Sequence, residues 1–186
     1  MMKNPKRCAY VNMGNPLYIR YHDEEWGIPE HSDQKLFEML LLECFQAGLS
    51  WECVLNKREA FRAAFDHFDA DKIVCYGEEK IQQLMNDPAI IRNRLKIKAS
   101  IVNAVVYKKI QAEYGSFDAY LWGYTNGETI LEDYTVRTTS PLSDQISKDL
   151  KQRGMKFVGS TIIYSYLQAI GILNAHGKEC DWYKHD

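Results

Sequence analysis

Hydrophobic and polar positions along this chain alternate at helical spacing almost throughout. The strongest signal runs from about 33 to 47. There Leu36, Phe37, Met39, Leu40, Leu41, Leu42, Cys44, Phe45 and Ala47 leave almost no polar side, the pattern of a buried helix. Ser32 or Asp33 predicts its start and Gly48 its end. A second helix is predicted from Ser50, as N-cap, to about Phe65, with Glu52 in its first turn. Asp69 caps a short helix to Tyr76, and another spans Glu78 to about Asn86. A long helix over about 93–114 places Ile97, Ile101, Ala104, Val105 and Ile110 on one side, and Gly115 ends it. Ser116 caps a short helix through Trp122. Two helices over about 142–153 and 159–171 close the pattern. Residues 1–31 are predicted to be irregular, with Asn15-Pro16 as a turn, and 123–141 to be a loop. Strand signals are too sparse for a sheet, so the expected class is all-α.

One residue disagrees with this pattern. Glu43 lies in the middle of the most apolar helix, on a face shared with Leu36, Met39, Leu40, Gln46, Ala47 and Ser50. No neighbour on that face is basic. Such a carboxylate must find a distant partner, hold its proton, or face a polar cavity. Gln46, one turn on, can share a ligand's hydrogen bonds, and Trp51 can wall one side of a pocket.

Composition narrows the class without naming a function. The 186 residues are 46% hydrophobic and 26% charged, as expected of a soluble globular chain forming one domain or two small lobes with a pocket between them. No apolar run is long enough to cross a bilayer. The basic N-terminus lacks the apolar segment of a signal peptide. Five cysteines, two of them inside helical patterns, do not form a disulfide framework and point to a reducing cytoplasm. A net charge of −2 argues against non-specific nucleic-acid binding. Two local basic groups bear on it: Arg92, Arg94, Lys96 and Lys98, then Lys148, Lys151, Arg153 and Lys156. Each by itself reads as a solvated helix face.

Three constellations could carry chemistry. His176 and Cys180 are four residues apart, as on one face of a helical turn, and Cys8 and His22 lie at the other end of the chain. Together they would make a full tetrahedral, structural metal site. Two unrelated cysteines and two surface histidines fit the spacing slightly better when it is taken alone. Second, Gly154 and Gly159 bracket a turn containing Lys156 and followed by Ser160 and Thr161. This helix-hairpin-helix shape can grip a phosphate, although glycines also simply end helices. Third, Tyr10, Tyr18, Tyr21, Trp26 and Trp51 are aromatic rings that could surround Glu43. They suit a flat, cationic base, and also suit ordinary core packing.

The segments Tyr21-His22-Asp23-Glu24-Glu25-Trp26-Gly27, Leu36-Phe37-Glu38-Met39, Glu43 through Gln46-Ala47-Gly48-Leu49-Ser50-Trp51, and Lys156-Phe157-Val158-Gly159-Ser160-Thr161 occur in this order. They resemble the bacterial 3-methyladenine DNA glycosylase I family over nearly the whole chain. The resemblance implies an all-helical helix-hairpin-helix glycosylase whose termini are tied by a structural zinc on Cys8, His22, His176 and Cys180. It implies base recognition by Glu43, with Tyr21 and Trp51 in the pocket and Trp26 and Tyr18 nearby. The expected activity is hydrolytic release of 3-methyladenine from alkylated double-stranded DNA by a monomeric cytoplasmic enzyme. Tyr10 stands where the family often has Trp, and Cys44 and Phe45 replace smaller or polar residues, which puts the pocket floor in question. Asp181 is a poor candidate for the catalytic Asp of the wider superfamily, in agreement with this family's lack of one. Two rivals are a catalytically inactive DNA-binding module and a zinc hydrolase, the latter disfavoured because four protein ligands leave no open coordination position.

Overall fold

A computed structural model describes residues 5–132 and 137–183. Its centre is α2 (Asp33–Gln46), where Leu36, Phe37, Leu40, Leu41, Leu42 and Phe45 are fully buried. The expected boundaries hold here, and Gly48 adopts φ 81° just past the helix, a left-handed conformation that glycine enters without penalty. The remaining α-helices pack on α2 or on one another. They are α1 (Pro16–Glu24), α3 (Trp51–Leu55), α4 (Arg58–Ala64), α5 (Ala70–Ile73), α6 (Glu78–Asn86), α7 (Arg94–Tyr114), α8 (Phe117–Trp122), α9 (Pro141–Gln152) and α10 (Ser160–Ala169). Buried apolar residues form one contiguous cluster.

The fold is mainly helical, as expected, with corrections. Residues 1–31 are not irregular throughout, because α1 occupies Pro16–Glu24. Asn15-Pro16 is its start rather than a plain turn. The Asn15 side chain accepts a hydrogen bond from the Leu17 amide at 3.0 Å, and Pro16 takes the first helical position. Only Tyr21 and His22 are buried in α1, so the aliphatic stripe that marks a surface helix is missing. The helix expected over 50–65 breaks at Asn56-Lys57 into α3 and α4. After the break, the Arg58 guanidinium reaches both Glu38 on α2 (2.6 Å) and Glu25 (2.5 Å).

A short sheet also exists, contrary to expectation. Ile130–Leu131 (β1) pairs in parallel with Leu173–Asn174 (β2). Two residues per strand are too few to show a period of two. The pairing has a structural consequence, since it ties the segment before α9 to the chain leaving α10. Gly171 permits a further contact there: a side chain at this position would meet the Ile28 carbonyl carbon at 2.2 Å. The close approach lets Gly27 and Glu30 amides donate to the Gln168 and Ile170 carbonyls, at 2.9 and 3.0 Å.

Candidate functional site

Glu43 sits on α2 one turn before its end and is buried. Two carboxylates on this helix have opposite fates. Glu38 is engaged by Arg58 and Arg62 at 2.6 and 2.7 Å. Glu43 Oε2 has no hydrogen-bond partner among the described residues. Burial alone pushes its carboxyl from 4.5 up to about 8. The buried indole Nε1 of Trp51 is likewise without a partner. A buried acceptor and a buried donor, each without a partner, thus belong to residues that line the same space, although buried polar groups in folded proteins are nearly always satisfied.

That space is a cavity of about 310 Å³. Tyr10, Tyr18, Tyr21, Trp26, Glu43, Gln46 and Trp51 all line it, so the expected pocket residues are brought together. The rings meet in groups, with centroids 5.1 Å apart for Tyr21 and Trp51 and 5.2 Å for Tyr10 and Trp26. Ser50 caps α3 through the Cys53 amide and so fixes the entry of Trp51. Gln46 donates its amide to the Leu49 carbonyl at 2.9 Å, bracing the turn between α2 and α3. Lys96 caps the same helix end, its ammonium donating to the Phe45 and Ala47 carbonyls at 2.8 and 2.6 Å. It is buried, rather than part of a solvated basic face. Cys44 and Phe45 do not line the cavity. Phe45 packs on Phe61 and Phe65, and Cys44 faces Lys156 and Asn103.

Sequence reasoning missed the opposite wall. Thr161, Tyr164, Ser165 and Gln168 on α10 line it, with Arg137 and Thr138. The α10 residues follow i, i+3, i+4, i+7 spacing on a helix whose other face carries Ile163, Tyr166 and Leu167 in the core. This polar stripe was visible in the sequence as a helical face. Thr161, expected on the DNA-backbone turn, belongs to the cavity wall.

Beside the cavity lies the cysteine and histidine constellation. Cys8, His22, His176 and Cys180 are all buried, and their ligand atoms lie within 4.8 Å of one another. Cys180 Sγ is 3.5 Å from both His22 Nε2 and His176 Nδ1, and Cys8 Sγ is 3.6 Å from His176 Nδ1. The outer ring nitrogens are held in turn: His22 Nδ1 by Asp23 at 2.8 Å, and His176 Nε2 by the Trp26 carbonyl at 3.0 Å. Such outer partners orient metal-binding imidazoles. The His176–Cys180 spacing does not come from a helix. The chain leaves β2 and turns, with the Cys180 amide donating to the Gly177 carbonyl at 2.8 Å. Trp26 joins the two constellations, lining the cavity with its ring 4.5 Å from that of His176.

The turn between α9 and α10 is held tightly. Asn103, fully buried on α7, accepts from the Lys156 amide at 2.8 Å and donates to the Lys156 carbonyl at 3.0 Å. Gly154 adopts φ 104° and Phe157, unusually for a non-glycine, φ 58°. The Ser160 hydroxyl is shared with Ser143 and Asp144 at 2.8 and 2.5 Å. Gly159 provides α10 with no side-chain cap, so the first amides, which have no intrahelical acceptor in any helix, gain none from the cap residue. The Lys156 side chain is exposed.

The model of the methyladenine glycosylase family matches residues 11–184. The chain belongs to that family. It is 45% identical over 182 residues to DNA-3-methyladenine glycosylase 1 of Escherichia coli (strain K12), covering 96% of this chain and 97% of that one. It is 39% identical to the DNA-3-methyladenine glycosylase of Haemophilus influenzae, covering 94% and 96%. Among solved structures, a crystal structure of 3-methyladenine DNA glycosylase I superposes with a TM-score of 0.92 at 43% identity, covering 96% of this chain and 100% of that one. A variant of 3-methyladenine DNA glycosylase I in complex with 3-methyladenine superposes with a TM-score of 0.91 at 38% identity, covering 97% and 99%.

Proposed function

We propose that this chain is a monofunctional DNA glycosylase that flips 3-methyladenine out of alkylated double-stranded DNA and releases it by hydrolysis. The observation that carries the reading is the buried Glu43, with one carboxyl oxygen unpaired, in the lining of an aromatic cavity, in a member of the methyladenine glycosylase family. The activity for which the relatives are named supports it.

The chemistry follows from the lesion. N3-methylation places a positive charge on the adenine and weakens its glycosidic bond. A buried carboxyl without a cation holds its proton; a cationic base supplies the missing countercharge and favours the carboxylate. Glu43 then accepts hydrogen bonds from the base, while Tyr21 and Trp51 pack on its faces. As the bond breaks, its electron pair stays on the departing base and neutralises it. Water bonds to the sugar carbon and gives its proton to solvent. Tight contact with the leaving base lowers the barrier if it strengthens as the bond stretches.

The four-residue cluster fits a structural zinc. Tetrahedral zinc with bonds of about 2.3 Å to sulfur and about 2.05 Å to nitrogen has S···N edges of roughly 3.5 Å, close to the distances of 3.5, 3.5 and 3.6 Å that join Cys180 and Cys8 to the two imidazoles. Bound there, zinc would tie the chain's two ends together and supply no reactive position. We assign DNA-backbone contact to the helix-hairpin-helix turn at Gly154, Lys156, Gly159 and Ser160. The Lys156 side chain and α10's first amides are its available groups, since Asn103 takes the Lys156 amide. A monomer acting in the cytoplasm accords with this reading, and no described helix is long and apolar enough to cross a membrane.

The test is incubation with methylated DNA and mass-spectrometric identification of the released base. Release of 3-methyladenine is expected. Duplex binding without release would favour a non-catalytic DNA-binding module instead.

A further inference from the structure

The Glu43 pocket accounts for the base but not for the backbone that carries it. When a nucleotide is rotated out of a duplex, its flanking phosphates follow the sugar to the pocket mouth. Arg137 is the only cation among the described residues lining this cavity, and its side chain is 54% exposed. One neighbour of Arg137, Glu132, is placed by the short sheet. Pairing of β1 with β2 continues into a 2.8 Å bond from the Glu132 amide to the Asn174 carbonyl. The Glu132 carboxylate accepts from the Tyr164 hydroxyl at 3.3 Å, and Tyr164 itself lines the cavity. Arg137 Nη1 lies 4.0 Å from Glu132 Oε1. That distance is too long for a hydrogen bond, so this contact leaves the guanidinium's five donors open.

The guanidinium cannot shed its charge. A cationic base is repelled by it, so its partner on the substrate must be an anion, and the anions DNA brings to this mouth are phosphates. We infer that Arg137 binds a phosphate flanking the flipped nucleotide, a contact that forms only once the nucleotide has left the duplex. The inference rests on the glycosylase reading above and adds a residue that draws the lesion into the pocket through its backbone rather than its base.

The test uses Arg137→Ala and Arg137→Lys with three probes: free 3-methyladenine, an undamaged duplex, and a duplex carrying a tetrahydrofuran abasic analogue. Arg137→Ala should weaken binding to the abasic-analogue duplex by about tenfold, the worth of one charge-assisted hydrogen bond. The salt slope of that binding should fall by about 0.9. Affinities for the free base and the undamaged duplex should stay within about twofold of wild type, well under the 1.4 kcal/mol that separates tenfold steps. The Lys variant should recover much of the loss and its salt slope. Unchanged binding of Arg137→Ala to the abasic-analogue duplex overturns the inference. So does an equal loss on undamaged DNA, which would make Arg137 a general backbone contact, or lost free-base affinity, which would make it part of the base pocket. Failure of the wild-type protein to release 3-methyladenine would instead refute the glycosylase reading itself.

Discussion

The carboxamide of Asn103 clasps the backbone of Lys156 by both its polar groups, at 2.8 and 3.0 Å, although 53 residues separate them. The side chain thus imitates a strand partner at the tip of the turn between α9 and α10, next to the left-handed Phe157. Asn103→Ala leaves an N–H and a C=O of that turn unpaired, which costs about 1–3 kcal/mol. The variant should melt lower and bind undamaged duplex less well, while free 3-methyladenine affinity is kept. Calorimetry alongside the two binding titrations checks this. Lost free-base binding would show that the clasp also supports the pocket.

Glu43→Gln keeps the shape of the site but offers a donor where the base needs an acceptor, and sites built on hydrogen bonds reject such mismatches strongly. The variant should fold, keep undamaged-duplex affinity, and lose free 3-methyladenine binding and most excision. It should also change the pH dependence of stability. The folded-state value of about 8 lies above the unfolded 4.5, so between them the native protein holds a proton that the unfolded chain has lost. Wild-type stability from this group is therefore complete below about pH 4.5 and is lost as pH rises toward 8. Glu43→Gln, which does not titrate, should gain stability relative to wild type across that window. Parallel pH series of chemical denaturation measure it, and a difference independent of pH would mean that Glu43 is paired in solution.

The cluster of Cys8, His22, His176 and Cys180 should carry one zinc per chain in freshly purified protein, by elemental analysis. Cys8→Ser should lower metal content and melting temperature, loosening both termini to proteolysis more than it slows excision at low temperature. Loss of excision in a variant that stays folded would give the metal a chemical role.

Lys156→Ala should weaken binding to all duplexes alike and lower the salt slope by about 0.9, the expectation for one lost phosphate contact. Salt titrations on damaged and undamaged duplexes decide it. A loss confined to damaged DNA would contradict a backbone-only role.

The sequence by itself determined the central helix, most of the other helices, and the identity of the residues around Glu43. Those follow from local rules: apolar periodicity marks a buried helix, caps mark its ends, and a lone acid within it demands an explanation. Other features depended on chain segments meeting. Glu38 and Glu43 are five residues apart on one helix, yet only the packing of α4 gives Glu38 its arginines and leaves Glu43 none. Helix α1 was hidden because its buried face is aromatic and polar. The cavity's second wall needed α10 to be placed opposite α2, although its polar stripe was readable. Arg137 had no sequence signal, since only the folded chain places it on the cavity lining. The four cluster ligands could be named in the sequence as a candidate set, but only tertiary structure brings residues 8 and 180 together. Local pattern records what each segment buries; which charge finds a partner is decided by the distances between segments, and these exist only once the chain is folded.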